Sequence, residues 1–175
     1  SVRDELLGVE PNDKDWVVVG SSPEEMIEAG FKPIGKDFPV FLHPDTKEEY
    51  ALARTERKSG KGYHGFKFYY DPSVTLEDDL LRRDLTINAI AKDSQGKLID
   101  PFNGQDDLFN KKLRNVSDAF CEDPLRAIRL GRFLSYKHIS DFSITPQLKA
   151  IVKKILDSGE LNYLSGDRVF AEIDK

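Results

Sequence analysis

Short apolar runs separated by turn residues characterise the first two thirds of the chain. Runs rich in β-branched and aromatic residues, bounded by glycine, proline or serine, predict strands. The predicted strands lie at 16–19, 39–42, 49–54 and 97–101. Residues 22–25 (Ser-Pro-Glu-Glu) are typical of a helix start, and this helix is expected to end at about Ala29. Further helices are predicted over 76–91 and, for a turn or two, over 105–110.

The last third of the chain has helical spacing only. The expected helices lie at 123–136, about 146–157 and 165 to the end. This change of pattern near 112–120 predicts an α+β head, residues 1–115, followed by an all-helical neck, residues 116–175. Both ends of the chain stop inside a helical pattern, so we expect the chain to be part of a longer protein.

Composition narrows the functional classes. Hydrophobic residues make up 39% of the 175 residues, which is enough for a packed core. A total of 26 basic and 31 acidic residues gives a formal net charge of −5, so any basic surface for nucleic acid is local. Cys121 is the single cysteine, which excludes an intramolecular disulfide and suits a reducing compartment. No apolar run approaches the ~20 residues of a membrane span, so a soluble cytoplasmic protein is expected.

Two aspartates, Asp13 and Asp15, lie at the start of the first predicted strand. Alternate residues of a strand point to the same side, so the two carboxylates converge. Like charges this close need a cation, and Mg²⁺ takes one or two carboxylates together with substrate phosphates. The pair therefore predicts metal-assisted phosphoryl or nucleotidyl transfer. The alternative is a polar turn, since Pro11 to Asp13 has the composition of one.

Arginines recur every third residue along one predicted helix, at Arg126, Arg129 and Arg132, with apolar residues on both sides. A buried arginine needs an anionic or planar partner, and a triphosphate or a nucleobase is such a partner. The alternative is a helix–helix interface with internal Glu–Arg pairs. Asp123 precedes Pro124 and suits a helix N-cap.

Asp123 and Arg126 also form a pair that can read a base. A carboxylate accepts a hydrogen bond from an exocyclic amine, and a guanidinium donates to a ring nitrogen. Cytosine and adenine present an amine donor beside a ring-nitrogen acceptor on their pairing edge, whereas guanine and uracil present the opposite. The pair is therefore expected to accept C and A and to reject G and U.

Two other segments carry chemistry. In residues 82–89, Arg83 can bind phosphate or ribose, and Asp84 and Asn88 can hold sugar hydroxyls or each other; an Asp–Arg ladder within the helix is the alternative. Residues 54–67 contain three glycines and five Lys or Arg, which predicts a mobile basic loop.

Four motifs in order resemble the class II tRNA nucleotidyltransferases, in particular the multifunctional CCA-adding enzymes of bacteria, and their poly(A) polymerase relatives. The motifs are Val-Arg-Asp-x-Leu-Leu-Gly at 2–8, Asp-x-Asp at 13–15, Arg-Arg-Asp-x-Thr-Ile-Asn-Ala at 82–89 and Glu-Asp-Pro-Leu-Arg-x-x-Arg at 122–129. Residues 15–21 and 50–58 also look like the multifunctional bacterial enzymes. The resemblance covers essentially the whole chain.

The resemblance implies a polymerase-β-like nucleotidyltransferase head with a mixed sheet and a helical neck. Asp13 and Asp15 would bind Mg²⁺ and be catalytic, and Glu49 is a candidate third carboxylate. The implied nucleotide contacts are Arg3, Arg83, Asp84, Glu122, Asp123, Arg126, Arg129 and Arg132. The implied reaction adds CMP, CMP and AMP from CTP and ATP to tRNA 3′ ends and releases pyrophosphate. The basic loop falls where the family has a flexible loop linked to the change from C to A addition.

The family also has a first strand and a Gly-Gly pair before the position of Ser1, as well as body, tail and, in some members, phosphohydrolase regions that this sequence lacks. Three other functions stay open at this point. A poly(A) polymerase would use ATP alone. A non-catalytic module would bind nucleotide or RNA without transfer. An interaction domain would use the arginine row as a helix interface.

Overall fold

A four-stranded mixed sheet forms the first part of the molecule. The computed structural model describes residues 1–11, 14–34, 40–58 and 66–175, and for 56–58 and 66–68 it describes the backbone. The strands are β1 (Asp15–Val18), β2 (Lys32–Pro33), β3 (Val40–Leu42) and β4 (Glu49–Leu52), in the spatial order β1-β4-β3-β2. The β1 strand runs parallel to β4, and the other neighbours are antiparallel. This sheet confirms the predicted α+β class.

The register of β1 against β4 gives the sheet two different faces. Trp16 pairs with Tyr50, and their rings stack at 5.5 Å between centroids. Asp15 pairs with Glu49 one residue earlier, so these two carboxylates project to the opposite face. The sheet therefore carries an aromatic face and an acidic edge.

Helix α2 (Pro23–Glu28) covers the aromatic face. Its start has a capping box in which Ser22 and Glu25 exchange hydrogen bonds with each other's backbone N–H groups. Its Met26 packs into a buried cluster with Phe41 and Leu52. The predicted helix start at Ser22 is confirmed, and the burial of Met26 fixes which side of the sheet remains open.

Strands β5 (Thr55–Lys58) and β6 (Phe66–Tyr69) pair in antiparallel fashion, with Thr55 opposite Tyr69. The prediction of a loop over the whole of 54–67 was therefore wrong at both flanks, where β-branched and aromatic residues favour pairing. The middle of that segment, 59–65, lies outside the described residues.

The helix predicted over 76–91 ends much earlier. Helix α3 spans Leu76–Leu81, and a 3₁₀ turn spans Thr86–Asn88. The Asp84 side chain accepts a hydrogen bond from the next backbone N–H, that of Leu85, at 2.8 Å. Such local bonds compete with helix formation, which explains why the helical spacing of this segment was misleading.

The remaining elements are short, except for two helices. Helix α1 spans Val2–Leu6 at the start of the chain. After the 3₁₀ turn come β7 (Ala91–Lys92), β8 (Leu98–Ile99), α4 (Gly104–Phe109), β9 (Lys112–Leu113), a 3₁₀ turn (Asp118–Glu122), α5 (Leu125–Ser135), β10 (Ser143–Ile144), α6 (Pro146–Ser158), a 3₁₀ turn (Glu160–Tyr163) and α7 (Gly166–Ile173). The β10 strand pairs with β9, so the segment expected to be all-helical contains one short strand.

One hydrophobic cluster holds the second part together. It contains buried side chains from the 85–90 segment, α4, α5 and α6, among them Leu85, Phe120 and Leu148, each fully buried. Leu113 and Phe120 belong to the same cluster, on either side of the expected head–neck boundary. No helix in the described parts of the chain is long and apolar enough to span a membrane. The core thus presents α1, α5 and the 82–88 segment to each other.

Candidate functional site

The acidic edge of the sheet is formed by Asp15 and Glu49. Asp15 begins β1, Glu49 begins β4, both are exposed, and their Cα atoms are partners in the register. Asp13, predicted as the second metal ligand, lies outside the described residues. No cluster of three or more His, Cys, Asp or Glu that could bind a metal occurs in the described ranges. The two exposed carboxylates still offer the oxygen donors that Mg²⁺ prefers, and Mg²⁺ commonly takes its remaining ligands from phosphates and water.

Arg3 is buried on α1, with 7% of its surface exposed. Its Nε donates to Asp4 Oδ1 at 2.8 Å, and its Nη1 donates to Asn88 Oδ1 at 2.7 Å. The bond to Asn88 joins the Val-Arg-Asp motif to the Arg-Arg-Asp segment, across 85 positions of sequence.

Asp84 is a buried carboxylate whose two oxygens both accept hydrogen bonds. Its Oδ1 accepts from the Leu85 backbone and from Asn88 Nδ2 at 2.9 Å, and its Oδ2 accepts from Arg129 Nε at 2.9 Å. Burial alone would raise the pKa of Asp84, but the Arg129 charge and these hydrogen bonds outweigh it and hold the pKa below its ordinary value. Asp84 and Asn88 therefore bind each other, one of the two options that their spacing allowed.

The arginine row of α5 packs against α7. Arg132 Nε donates to Glu172 Oε1 at 2.7 Å, and Arg129 Nη1 lies 3.6 Å from Glu172 Oε2. Burial lowers the pKa of Arg129, but the charges of Asp84 and Glu172 more than compensate and raise it above its usual value. Arg129 and Arg132 thus take part in the helix–helix ion pairs of the alternative interpretation. Sequence reasoning missed Glu172, although its position three residues after Val169 places it on the buried side of α7.

Phe133 is a second residue that the sequence analysis missed. Three guanidinium groups lie over its ring, with the carbon atoms of Arg3, Arg129 and Arg132 at 5.0, 5.7 and 4.8 Å from the ring centroid. Cation–π attraction and the neighbouring carboxylates allow three positive charges to gather here. The signal was present in the sequence, since Phe133 directly follows Arg132.

Asp79, almost fully buried on α3, is a third missed residue. It accepts from Arg82 Nη2 at 2.7 Å and from Arg83 Nη2 at 3.4 Å. Arg83 also donates to the Asn88 carbonyl at 3.4 Å, whereas its buried Nε has no hydrogen-bond partner in the described part of the chain. The Arg83 guanidinium, held by two long bonds, thus keeps donor capacity for another group.

Asp123 and Arg126 lie at the start of α5. Asp123 Oδ1 accepts from the Leu125 backbone at 3.1 Å, and its Oδ2 accepts from Arg168 Nη2 at 3.0 Å. Arg126 donates from Nη1 to the Ala119 carbonyl at 3.0 Å and from Nη2 to the Arg82 carbonyl at 2.6 Å. Backbone carbonyls, rather than carboxylates, therefore fix this guanidinium.

The hydrogen-bond capacity of this pair is only partly used. A guanidinium has five N–H groups, so three of those on Arg126 remain without a partner among the described residues. Each carboxylate oxygen of Asp123 has two lone pairs and accepts one bond from the residues described. Glu122, which ends the preceding 3₁₀ turn, is half-buried beside them.

Described contacts connect most of the predicted site residues. Arg3, Asp84, Arg129 and Arg132 are joined through Asn88 and Glu172. Arg126 and Arg83 are joined through Arg82 and Asp79. No hydrogen bond or ion pair within the described ranges links Asp15 to either group. The arrangement combines a cationic cluster, a donor–acceptor pair and, on the sheet, an acidic edge.

The chain is similar to proteins whose names describe CCA addition. It is 59% identical over its full length to the multifunctional CCA protein of Acinetobacter baumannii strain SDF and 55% identical to that of Teredinibacter turnerae, and it spans 42% and 43% of their lengths. The chain thus spans less than half the length of these curated relatives.

Solved structures give the same result. The crystal structure of the Bacillus stearothermophilus CCA-adding enzyme in complex with CTP matches 98% of this chain, and the match covers 41% of that protein, with 28% identity and a TM-score of 0.77. A tRNA nucleotidyltransferase complexed with a primer tRNA and an incoming ATP analog matches 99% of the chain and is covered over 49% of its own length, with 31% identity and a TM-score of 0.71. Residues 1–114 match the family described as the Poly A polymerase head domain. The resemblance deduced from the motifs is confirmed, and the chain belongs to the Poly A polymerase head domain family.

Proposed function

We propose that the whole protein adds CMP, CMP and AMP to tRNA 3′ ends, using CTP and ATP and releasing pyrophosphate. The observation that carries the proposal is the Asp123–Arg126 pair, because its open acceptors and donors match cytosine and adenine. The names of the relatives and the bound CTP of one neighbour support the same substrates. The single unpaired cysteine suits the reducing cytoplasm, where we place the reaction.

The base would be read at the start of α5. Asp123 would accept from the exocyclic amine of C or A, and Arg126 would donate to the adjacent ring nitrogen. Uracil and guanine would place a carbonyl oxygen against the carboxylate and an N–H group against the guanidinium. Both contacts would then be repulsive, and buried polar groups without partners strongly disfavour binding. Glu122, next to Asp123, is proposed to support the pair.

The triphosphate and ribose would be held by the remaining predicted residues. Arg83 has unused donor capacity, and the guanidinium groups of Arg3, Arg129 and Arg132 gather over the Phe133 ring. Asp84 fixes Arg129 through its own hydrogen bond and is proposed to lie near the ribose. These residues would orient the nucleotide so that its α-phosphate faces the RNA 3′-hydroxyl.

Asp13 and Asp15 would bind Mg²⁺, and Glu49, the register partner of Asp15, is proposed as a further carboxylate. When bound, the metal supplies Lewis-acid stabilisation of the charge that develops on the phosphate oxygens. In the transfer, the RNA 3′-oxygen bonds to the α-phosphorus, and the bond from that phosphorus to the leaving pyrophosphate breaks. The head, 1–115, would carry this chemistry, and the neck, 116–175, would carry the base reading.

A poly(A) polymerase is the second candidate, and the description of the matching family favours considering it. It would use ATP alone and extend an RNA for many residues. The Asp123–Arg126 pair does not separate the two functions, because adenine and cytosine present the same pairing edge. A nucleotide assay does separate them.

The test uses the full-length protein and a tRNA that lacks its terminal CCA. We expect Mg²⁺-dependent incorporation of CTP and ATP, with GTP and UTP at background, and pyrophosphate released in proportion. Long products from ATP alone would favour the poly(A) polymerase. Nucleotide binding without any pyrophosphate release would support a non-catalytic module instead.

A further inference from the structure

Helix α7 reaches back to the proposed base-reading pair. Arg168, near the start of α7, donates from Nη2 to Asp123 Oδ2 at 3.0 Å, across 45 positions of sequence. Both side chains are largely enclosed, with 24% and 19% of their surfaces exposed. Arg168 lies outside the four sequence motifs, and its contact joins the start of α5 to α7, two helices that are separated by α6 in the sequence.

We propose that Arg168 is a positioning residue that fixes the carboxylate of Asp123 for base selection; this inference rests on the proposed function. The Leu125 backbone N–H holds Oδ1, and Arg168 holds Oδ2. With both oxygens held from different directions, the carboxylate plane has a fixed orientation. Each oxygen retains one lone pair, which is the acceptor that an exocyclic amine needs.

A second contact makes α7 a rigid support for this role. Glu172, one helical turn after Arg168, accepts from Arg132 and pairs with Arg129 on α5. These ion pairs fix α7 against α5, so the Arg168 guanidinium is presented from a scaffold that does not depend on Asp123. Asp123 is thereby oriented by a helix that is itself anchored to the arginine row.

Arg126, the other residue of the proposed base-reading pair, is held independently of α7. The Arg126 guanidinium is fixed by the carbonyls of Ala119 and Arg82, which lie in the 3₁₀ turn and after α3. Removing the Arg168 side chain leaves these two bonds in place and leaves Asp123 with the Leu125 bond alone among those described. The loss should therefore fall on recognition of the amine and spare recognition of the ring nitrogen.

The experiment compares full-length wild type with Arg168→Ala and Arg168→Lys, using a tRNA that ends in the first added C. The measurement is kcat/KM for CTP, ATP, UTP and GTP. We expect the CTP-over-UTP ratio to fall about tenfold in Arg168→Ala, the scale of one charge-assisted hydrogen bond. The fall should appear mainly as a higher KM for CTP. Arg168→Lys, which retains a charged donor, should restore part of the ratio.

Lys153→Ala is the matched control, because Lys153 forms an exposed ion pair with Asp157 on α6 and should leave the ratio unchanged. An unchanged ratio in Arg168→Ala, with a lower melting temperature, would make the contact merely structural and overturn the proposal. Should that variant not fold, Arg168→Gln replaces it and the same ratio decides. A wild type without any preference for CTP over UTP would instead refute the proposed function.

Discussion

Asp84→Asn removes the charge of a buried side chain while preserving its shape. The amide oxygen of the new side chain can still accept from Leu85 and Asn88, as Asp84 Oδ1 does. Its NH₂ group then faces Arg129 Nε, where the carboxylate accepts a bond of 2.9 Å. Two N–H donors, the new NH₂ group and Arg129 Nε, would then face each other in place of a donor and a carboxylate oxygen.

The free energy of unfolding should fall by about 3 kcal/mol. A hydrogen bond to a charged group contributes ~1.5–3 kcal/mol, and breaking a buried pair costs ~3–5 kcal/mol. Glu172 remains near Arg129 at 3.6 Å, which places the value at the lower end of the second range. In a chain of this size, a loss of that magnitude corresponds to a decrease in Tm of roughly 6–12 °C.

Thermal unfolding followed by circular dichroism between pH 3 and pH 8 is the assay. The pKa of Asp84 is lowered in the folded state, so its stabilisation is present above the ordinary value of ~3.9 and is lost as the pH falls through the folded pKa. The difference between wild type and variant should be constant above about pH 5 and shrink in more acid solution. Asp141→Asn, in an exposed pair with Lys111, is the control and should change little. A negligible difference at pH 7, or one that grows on acidification, would refute the reasoning.

The other predictions concern core packing, the proposed Mg²⁺ site and the Asp123–Arg126 pair. Gly104→Ala places a Cβ against the Thr86 carbonyl oxygen, too close for van der Waals contact, and should lower the free energy of unfolding by about 1–3 kcal/mol. Gly131→Ala, whose Cβ would have nothing within 4 Å, should not lower it, and equal melting curves for the two variants would contradict this. Asp15→Asn should lower incorporation at least ~100-fold with unchanged CTP binding, measured by a tRNA extension assay, and full activity would remove Asp15 from the metal site. Arg126→Ala should reduce the preference for C and A over G and U by about tenfold; a loss of stability with intact preference would make the arginine row only an interface.

The sequence predicted most elements correctly where local chemistry decides them. The start of α2 follows from its capping box, and that of α6 from Thr145, whose side chain accepts from the Leu148 backbone. Prediction failed over 82–91, because the buried contacts of Asp84 with Arg129 and Asn88 stabilise a turn that helical spacing does not show. The contact with Arg129 spans 45 positions of sequence, and no local pattern encodes it.

The sequence predicted the residues of the candidate site but not the residues that hold them in place. The motifs identified the arginines and Asp123, and their assigned roles stay predictions, as does the head–neck boundary. Asp79, Phe133 and Glu172 were missed, because a buried acid or a single aromatic residue in a helix resembles ordinary packing until its partners are known. The ion pairs of Arg129 and Arg132 with Glu172 also depend on α7, whose contact with α5 no sequence spacing specifies.

The most direct test of the central idea, base reading by Asp123 and Arg126, is the ratio of kcat/KM for CTP and UTP in full-length wild type and in Asp123→Asn. The asparagine can donate from its NH₂ group to the O4 oxygen of uracil, which the carboxylate repels. We predict that CTP use falls and UTP use rises, so that the ratio drops by at least about tenfold. A ratio equal to that of the wild type would contradict the account, because the base would then be chosen elsewhere.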